Sequence, residues 1–164
     1  MHTLLSVAMA AALVQQTQSF TLSLTASVAQ VTPLFGPVGE AQWAPGWAPT
    51  FLHPAEGAQR NGVVFTTTTP KGYEQVWVLT EYDVAAGRVA YVILTPGYDV
   101  KEIQIRIVAD GPSRSKATVT YRDSALVERA NDDVRRLDAQ WAAEQSRHWE
   151  AAINAALSRK GAGK

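Results

Sequence analysis

Five strand-like runs follow one another between residues 62 and 124, and they limit the fold more than any other feature. They cover about 62–69, 74–82, 87–95, 99–109 and 115–124. The links hold Pro70-Lys71-Gly72, Ala86-Gly87, Pro96-Gly97 and Asp110-Gly111-Pro112, which are turn formers. A link this short joins antiparallel neighbours, because a parallel crossover needs a dozen or more residues. The runs therefore read as a meander. In the fourth, Ile103, Ile105 and Ile107 alternate with Glu102, Gln104 and Arg106; in the fifth, Ala117, Val119 and Tyr121 alternate with Lys116, Thr118 and Thr120. One face of that part of the sheet is wet. The second and third runs are apolar at both parities, from Val76 to Leu79 and from Val89 to Leu94. Either both faces are covered there or the outer face meets a partner, a homodimer through the sheet being one form.

Elements on either side complete an α+β reading. Phe20, Leu22 and Leu24 share one parity of a first strand over about 13–25. Ser27 then caps a short helical segment, Val28–Phe35, which Gly36-Pro37 stops. After the meander a long helix is predicted from Leu126 to Arg159, with Ala130, Val134, Leu137, Trp141, His148, Ala152 and Ala155 on one stripe. One helix cannot fill the concavity of a twisted sheet of about six strands. The remaining space is a pocket.

Between the first helix and the meander lies an aromatic loop. Trp43 and Trp47 sit among Pro and Gly, followed by Phe51 and His53. Large rings in irregular chain must be covered or must cover something. Trp43, Trp47 and Phe51 are read either as a plug completing the core or as a gate lining a ligand entrance.

Fifteen basic and fifteen acidic residues cancel. This gives no electrostatic reason to expect nucleic acid or an anionic membrane as partner. The chain has no Cys, which excludes disulfides, thiolate nucleophiles and Cys-ligated metals. His2, His53 and His148 are scattered, without ligand spacing, so neither metal nor cofactor is expected. The apolar run Leu4–Val14 is too short to span a bilayer, so no integral membrane segment is expected. The run lacks a basic flank and a good cleavage site. Residues 1–12 are read as an N-terminal extension or signal segment, 13–159 as one domain and 160–164 as a frayed tail. The cytoplasm is the favoured location, with export through the N-terminal segment as the alternative.

The segment Pro33-Leu34-Phe35-Gly36-Pro37-Val38-Gly39-Glu40-Ala41-Gln42-Trp43-Ala44-Pro45-Gly46-Trp47, with Gly62–Thr67, Trp77–Asp83 and Val119–Tyr121, resembles bacterial members of the START-like (SRPBCC) superfamily. That superfamily includes polyketide cyclases and pathogenesis-related allergens. The resemblance covers about residues 13 to 158. It implies a helix-grip fold, a curved antiparallel sheet wrapped around a long C-terminal helix, with a cavity for a lipid-like or aromatic molecule. It does not imply a reaction. Relatives often carry Asp after the second Trp, where this chain has Ala48.

Within that frame the expected pocket residues are Trp43, Trp47, Phe51, Trp77, Glu81, Tyr91, Tyr121, Trp141 and His148. Glu81 shares the parity of Trp77 and Leu79, so an inward carboxylate and general base is one reading; a solvated strand end is the plainer one. Glu144 and His148, spaced i, i+4, read as an acid–base pair or, more plainly, as a helix-surface pair. Tyr91 and Tyr121 are placed to carry a hydroxyl into an apolar cavity. No nucleophile elbow, P-loop or dinucleotide fingerprint is present, and no catalytic residue is assigned. The favoured function is binding or carriage of a small apolar molecule. The alternatives are a cyclase- or dehydratase-type enzyme acting through Glu81, Tyr91 or His148, and an interaction module using the outer sheet face.

Overall fold

The computed structural model describes residues 12–162. Among these, seven strands form one antiparallel sheet: β1 (Gln15–Leu24), β2 (Thr50–His53), β3 (Val64–Thr68), β4 (Glu74–Asp83), β5 (Arg88–Thr95), β6 (Asp99–Ala109) and β7 (Ser115–Ala125). Their spatial order is β1-β7-β6-β5-β4-β3-β2. The expected meander is thus present as β3 to β7. The seventh strand, β2, arises inside the predicted loop. Four residues bounded by Pro49 and Pro54 are too few to show alternation, and β2 pairs with β3 through a bulged edge register. Most of the N-terminal apolar run lies outside the described residues.

The inner face follows the alternation. Phe20, Leu22, Leu24, Ile103, Ile105, Ile107, Ala117 and Val119 are all buried. On the outer face, Val64, Val78 and Val92 pair across β3, β4 and β5 and are half-buried, while Leu94 is exposed. After β1 the chain enters α1 (Val28–Val31), where the Gln30 side chain accepts the Ser27 N–H at 3.2 Å. It tightens into a 3-10 turn, Thr32–Phe35, with Pro33 in its first turn, and Val31, Leu34 and Phe35 are fully buried.

The C-terminal helix departs from the prediction. A 3-10 turn (Glu128–Ala130) and α2 (Asn131–Arg135) precede α3 (Ala139–Ala162), and the chain breaks at 136–138. Asp138 Oδ1 accepts the Trp141 N–H at 2.8 Å and so caps α3. The break resets the helical phase. Ala142, Ile153 and Ala156 are buried and Trp149 half-buried, whereas His148 and Ala155, assigned to the stripe by carrying its phase through from Ala130, are exposed. α3 runs through Ala162.

Polar residues four apart hold α3 against the free edge of β1. Ser146 Oγ donates to Thr21 O at 2.9 Å, and Glu150 Oε2 accepts the Ser23 N–H at 2.7 Å. Asn154 accepts the Thr25 N–H and donates to Ser23 O. The unpaired backbone of an edge strand is thereby satisfied by helix side chains.

Candidate functional site

The site begins with the fold-back after the first 3-10 turn. A Cβ at Gly39 would lie 1.8 Å from the Pro33 carbonyl oxygen, so at this close approach only glycine fits. The turn is clamped by Gln59, whose Oε1 accepts the N–H groups of Val38 and Gly39 at 3.1 and 2.7 Å. Gln59 Nε2 in turn donates to the Tyr82 hydroxyl at 3.0 Å. Tyr82 reaches it because β4 carries a bulge: Leu79 pairs with Tyr91 but Glu81, not Thr80, is the next residue in register, opposite Ala90. One extra residue swaps the parity beyond it. Tyr82 therefore packs against the core. Glu81 faces outward and pairs with Arg88 Nε at 2.7 Å, which overturns its reading as an inward carboxylate.

The clamped segment delivers Glu40, first residue of a second 3-10 turn (Glu40–Gln42), into a chamber of about 200 Å³. The walls are Trp43, Trp47, Trp77, Tyr91, Tyr121 and Trp149, over Ile103 and Ile105. The rings interlock. Trp43 and Trp149 lie 5.0 Å apart between centroids, Trp47 and Trp77 5.4 Å, and Trp77 and Tyr91 5.6 Å. Several polar handles are tied to the protein frame. Trp43 Nε1 donates to Leu34 O and Trp47 Nε1 to Pro37 O, both at 2.7 Å. Trp77 Nε1 donates to Thr67 Oγ1 at 2.8 Å, and the Tyr91 hydroxyl to Phe35 O at 2.7 Å. Trp43 and Trp47 are thus anchored walls of the chamber.

Two polar groups in the chamber have no such partner among the described residues. Glu40 is half-buried as a residue, yet burial of its carboxyl alone pushes its pKa well above the usual carboxylate value. The Tyr121 phenol is raised too, first by burial and then by the charge of Glu40. Burial likewise raises Tyr91, with a contribution from Glu40. A carboxyl with no donor in a low-dielectric setting is shifted toward its neutral form.

Tyr121 also borders a second hollow, a vestibule of about 410 Å³ beneath the β3–β4 and β5–β6 turns, where Trp141 lies. Trp141 meets the Tyr121 ring edge-on at 5.1 Å. Lys101 there bonds Asp99 and approaches Asp123 to 3.1 Å. One Oδ1 on each of these buried aspartates has no partner. Burial raises the Asp123 pKa, with Lys101 pulling it the other way. At the rim Asp133 accepts from Lys71 at 2.6 Å, from the Tyr98 hydroxyl, and from Arg136 at 3.0 Å. The Lys71 and Tyr98 bonds hold its carboxyl below the ordinary value.

Of the expected residues, then, Trp43, Trp47, Trp77, Tyr91 and Tyr121 converge on the chamber and Trp141 on the vestibule. Phe51 instead packs in β2 against Phe65 at 5.7 Å. His148 is exposed, and Glu144 accepts from Gln140 rather than pairing with it. Glu40 and Trp149 were not anticipated. Glu40 stands inside the aromatic segment, and an acid among Pro, Gly and Trp was the available signal. Trp149 was hidden by the helix phase. Among the described residues, no group of three or more His, Asp or Glu is placed to hold a metal. No helix there is long and apolar enough to cross a membrane.

No family profile matches the chain, and no curated protein matches it. Solved structures do. Truncated norcoclaurine synthase from Thalictrum flavum superposes with a TM-score of 0.63 at 14% identity, over 91% of this chain and 94% of that one. The Mll3558 protein from Rhizobium loti gives 0.63 at 13% identity, over 89% and 99%. Ara h 8.0201 gives 0.59 at 16% identity, over 88% and 99%. The chain has the helix-grip fold that the START-like resemblance implied, with seven strands curved around the long C-terminal helix.

Proposed function

We propose that this protein binds a small, largely apolar molecule in the hollow between the sheet and α3. The observation that carries the reading is the aromatic chamber itself. An apolar cavity of about 150 Å³ takes up benzene, so about 200 Å³ admits one ring-sized group. A longer molecule would extend past Tyr121 into the vestibule. Anchored rings favour affinity, because little side-chain freedom is lost on binding. The test has two arms: native mass spectrometry of protein purified from its own host, and tryptophan fluorescence titrated with benzyl alcohol. A recurring bound mass or a saturable change supports binding; repeated absence of both overturns it.

A second reading, an acid–base enzyme of the cyclase or dehydratase type, is favoured by one observation. Glu40 and Tyr121 share the chamber, their side chains without a hydrogen-bond partner among the described residues. The residues first weighed for this role are less suited: Glu81 faces outward, His148 is exposed, and the Tyr91 hydroxyl is committed to Phe35 O. A protonated Glu40 would serve as general acid and Tyr121 as hydrogen-bond donor. Its test is turnover of a polyketide-like substrate by the wild type and its loss in Glu40→Gln.

A further inference from the structure

The chamber offers an unusual set of chemical groups for a greasy pocket. Its walls are indole and phenol rings, which attract positive charge to their faces. The N–H groups of Trp43, Trp47 and Trp77 point to partners in the protein frame, and so does the Tyr91 O–H. Toward the hollow stands the Glu40 carboxyl, with no hydrogen bond or ion pair among the described residues. Among the described residues, no Lys, Arg or His lines the chamber. The titratable groups that face Glu40 are Tyr91 from β5 and Tyr121 from β7, neither able to supply positive charge. Arg159 lies outside, donating to the carbonyl of Gln42.

Each class of ligand can be weighed against this lining. An organic anion would meet Glu40 with no cation to balance it. A purely apolar guest would fill the ring surface and leave the carboxyl unpartnered, at the cost of a buried polar group. A guest with an ammonium group on a one-ring body satisfies both features, since a buried carboxylate is tolerable when paired.

We propose that the chamber is a receptor for a small organic amine, taken up as its ammonium ion with the nitrogen on the Glu40 carboxylate and the apolar body among the four indoles. The inference rests on the binding reading above and names the ligand class for that same site. In the empty chamber burial favours the neutral form of Glu40. When the ammonium ion enters, the carboxyl ionises and its proton leaves to solvent, up to one per ligand, while the ammonium keeps all of its own.

The experiment is isothermal titration calorimetry at pH 7.5 on the full chain, with benzylamine, benzyl alcohol and benzoate as probes. Benzyl alcohol shares the ring and reach of benzylamine but carries no charge. Benzylamine is expected to bind at least about tenfold more tightly than the alcohol, and benzoate not at all. Repetition in buffers of different ionisation heat is expected to show proton release with benzylamine and none with the alcohol. In Glu40→Gln the amine advantage over the alcohol and the proton release disappear. Benzyl alcohol binding as tightly as benzylamine would leave a pocket but refute the amine. Failure of both probes to bind would refute pocket and amine together. Should Glu40→Gln not fold, the wild-type amine-to-alcohol ratio and proton release decide the matter.

Discussion

Gln59 accepts the Gly39 N–H at 2.7 Å, across a sequence separation of 20 residues, and this bond fixes the turn from which Glu40 enters the chamber. The same side chain takes the Val38 N–H and is steadied by Tyr82. Replacing Gln59 with Leu keeps the bulk and removes the acceptor. An orphaned buried N–H costs about 1–3 kcal/mol. The urea midpoint of Gln59→Leu is expected to fall accordingly, with weaker binding of any chamber ligand. An unchanged midpoint would show that the clamp carries no energy.

Gly39→Ala tests the fold-back more severely. Its φ of −68° suits any residue, so the obstacle is the Pro33 carbonyl alone. Backbone on backbone cannot yield as a side chain can, and the loss is expected to exceed that of ordinary overpacking, about 1–3 kcal/mol. Gly46→Ala is the control. It has open space but a φ of 74°, and it should cost about 1–2 kcal/mol. Equal losses at the two positions would contradict the steric account.

Glu40→Gln is expected to stabilise the empty protein at neutral pH. Below the ordinary value of 4.5 both folded and unfolded chains hold the proton, and the substitution changes little. As pH rises, the unfolded carboxyl ionises while the folded one resists, so the wild type loses stability relative to the variant until its folded pKa is passed. Asp133 works in the opposite sense. Its lowered pKa supports the folded state above 3.8 and that support fades as pH falls, so the difference between wild type and Glu40→Gln, not the wild-type curve, isolates Glu40. Denaturant midpoints of both proteins near pH 4 and 8 provide the check; a difference that shrinks as pH rises would refute a buried, proton-holding carboxyl.

Asn154→Ala removes three bonds at the end of β1, those accepted from the Thr25 N–H and hydroxyl and the one donated to Ser23 O, and leaves the Thr25 N–H without its acceptor. A loss of about 1–2 kcal/mol is expected. Amide exchange should quicken at Ser23 to Thr25 before it does in β6. Uniform quickening along the sheet would mean the helix does not hold that edge separately.

These outcomes also mark how far the chain could be read before its structure. Alternation in β6 and β7 fixed the wet and dry faces because nothing there interrupts the pleat. In β4 the same counting failed by one residue at Thr80, and Glu81 and Tyr82 exchanged faces. A bulge of this kind has no composition of its own, for Thr suits a strand as well as a bulge. In the C-terminal region counting failed for a related reason. The break at 136–138 contains no Gly or Pro, only the Asp138 cap, and a phase carried across it put His148 where Trp149 belongs. Five of the nine expected pocket residues line the chamber because large aromatics in a small domain have few other places to go. Glu40 was passed over because its role depends on burial, which a single acidic letter does not disclose.

The polar stripe on α3 bears on the order in which the chain can assemble. β1 is made before the other six described strands, yet its strand partner is β7, Gln15 lying opposite Ser124, and its other edge waits for residues 146 to 154. Its native strand partner is therefore absent until β7 has been made. Its outward Gln, Thr and Ser residues suit that wait, since a polar strand is a poor template for stray pairing. Closure of the chamber follows the same clock. Trp149 lies on α3, so the chamber lacks one of its aromatic walls until that helix has been made.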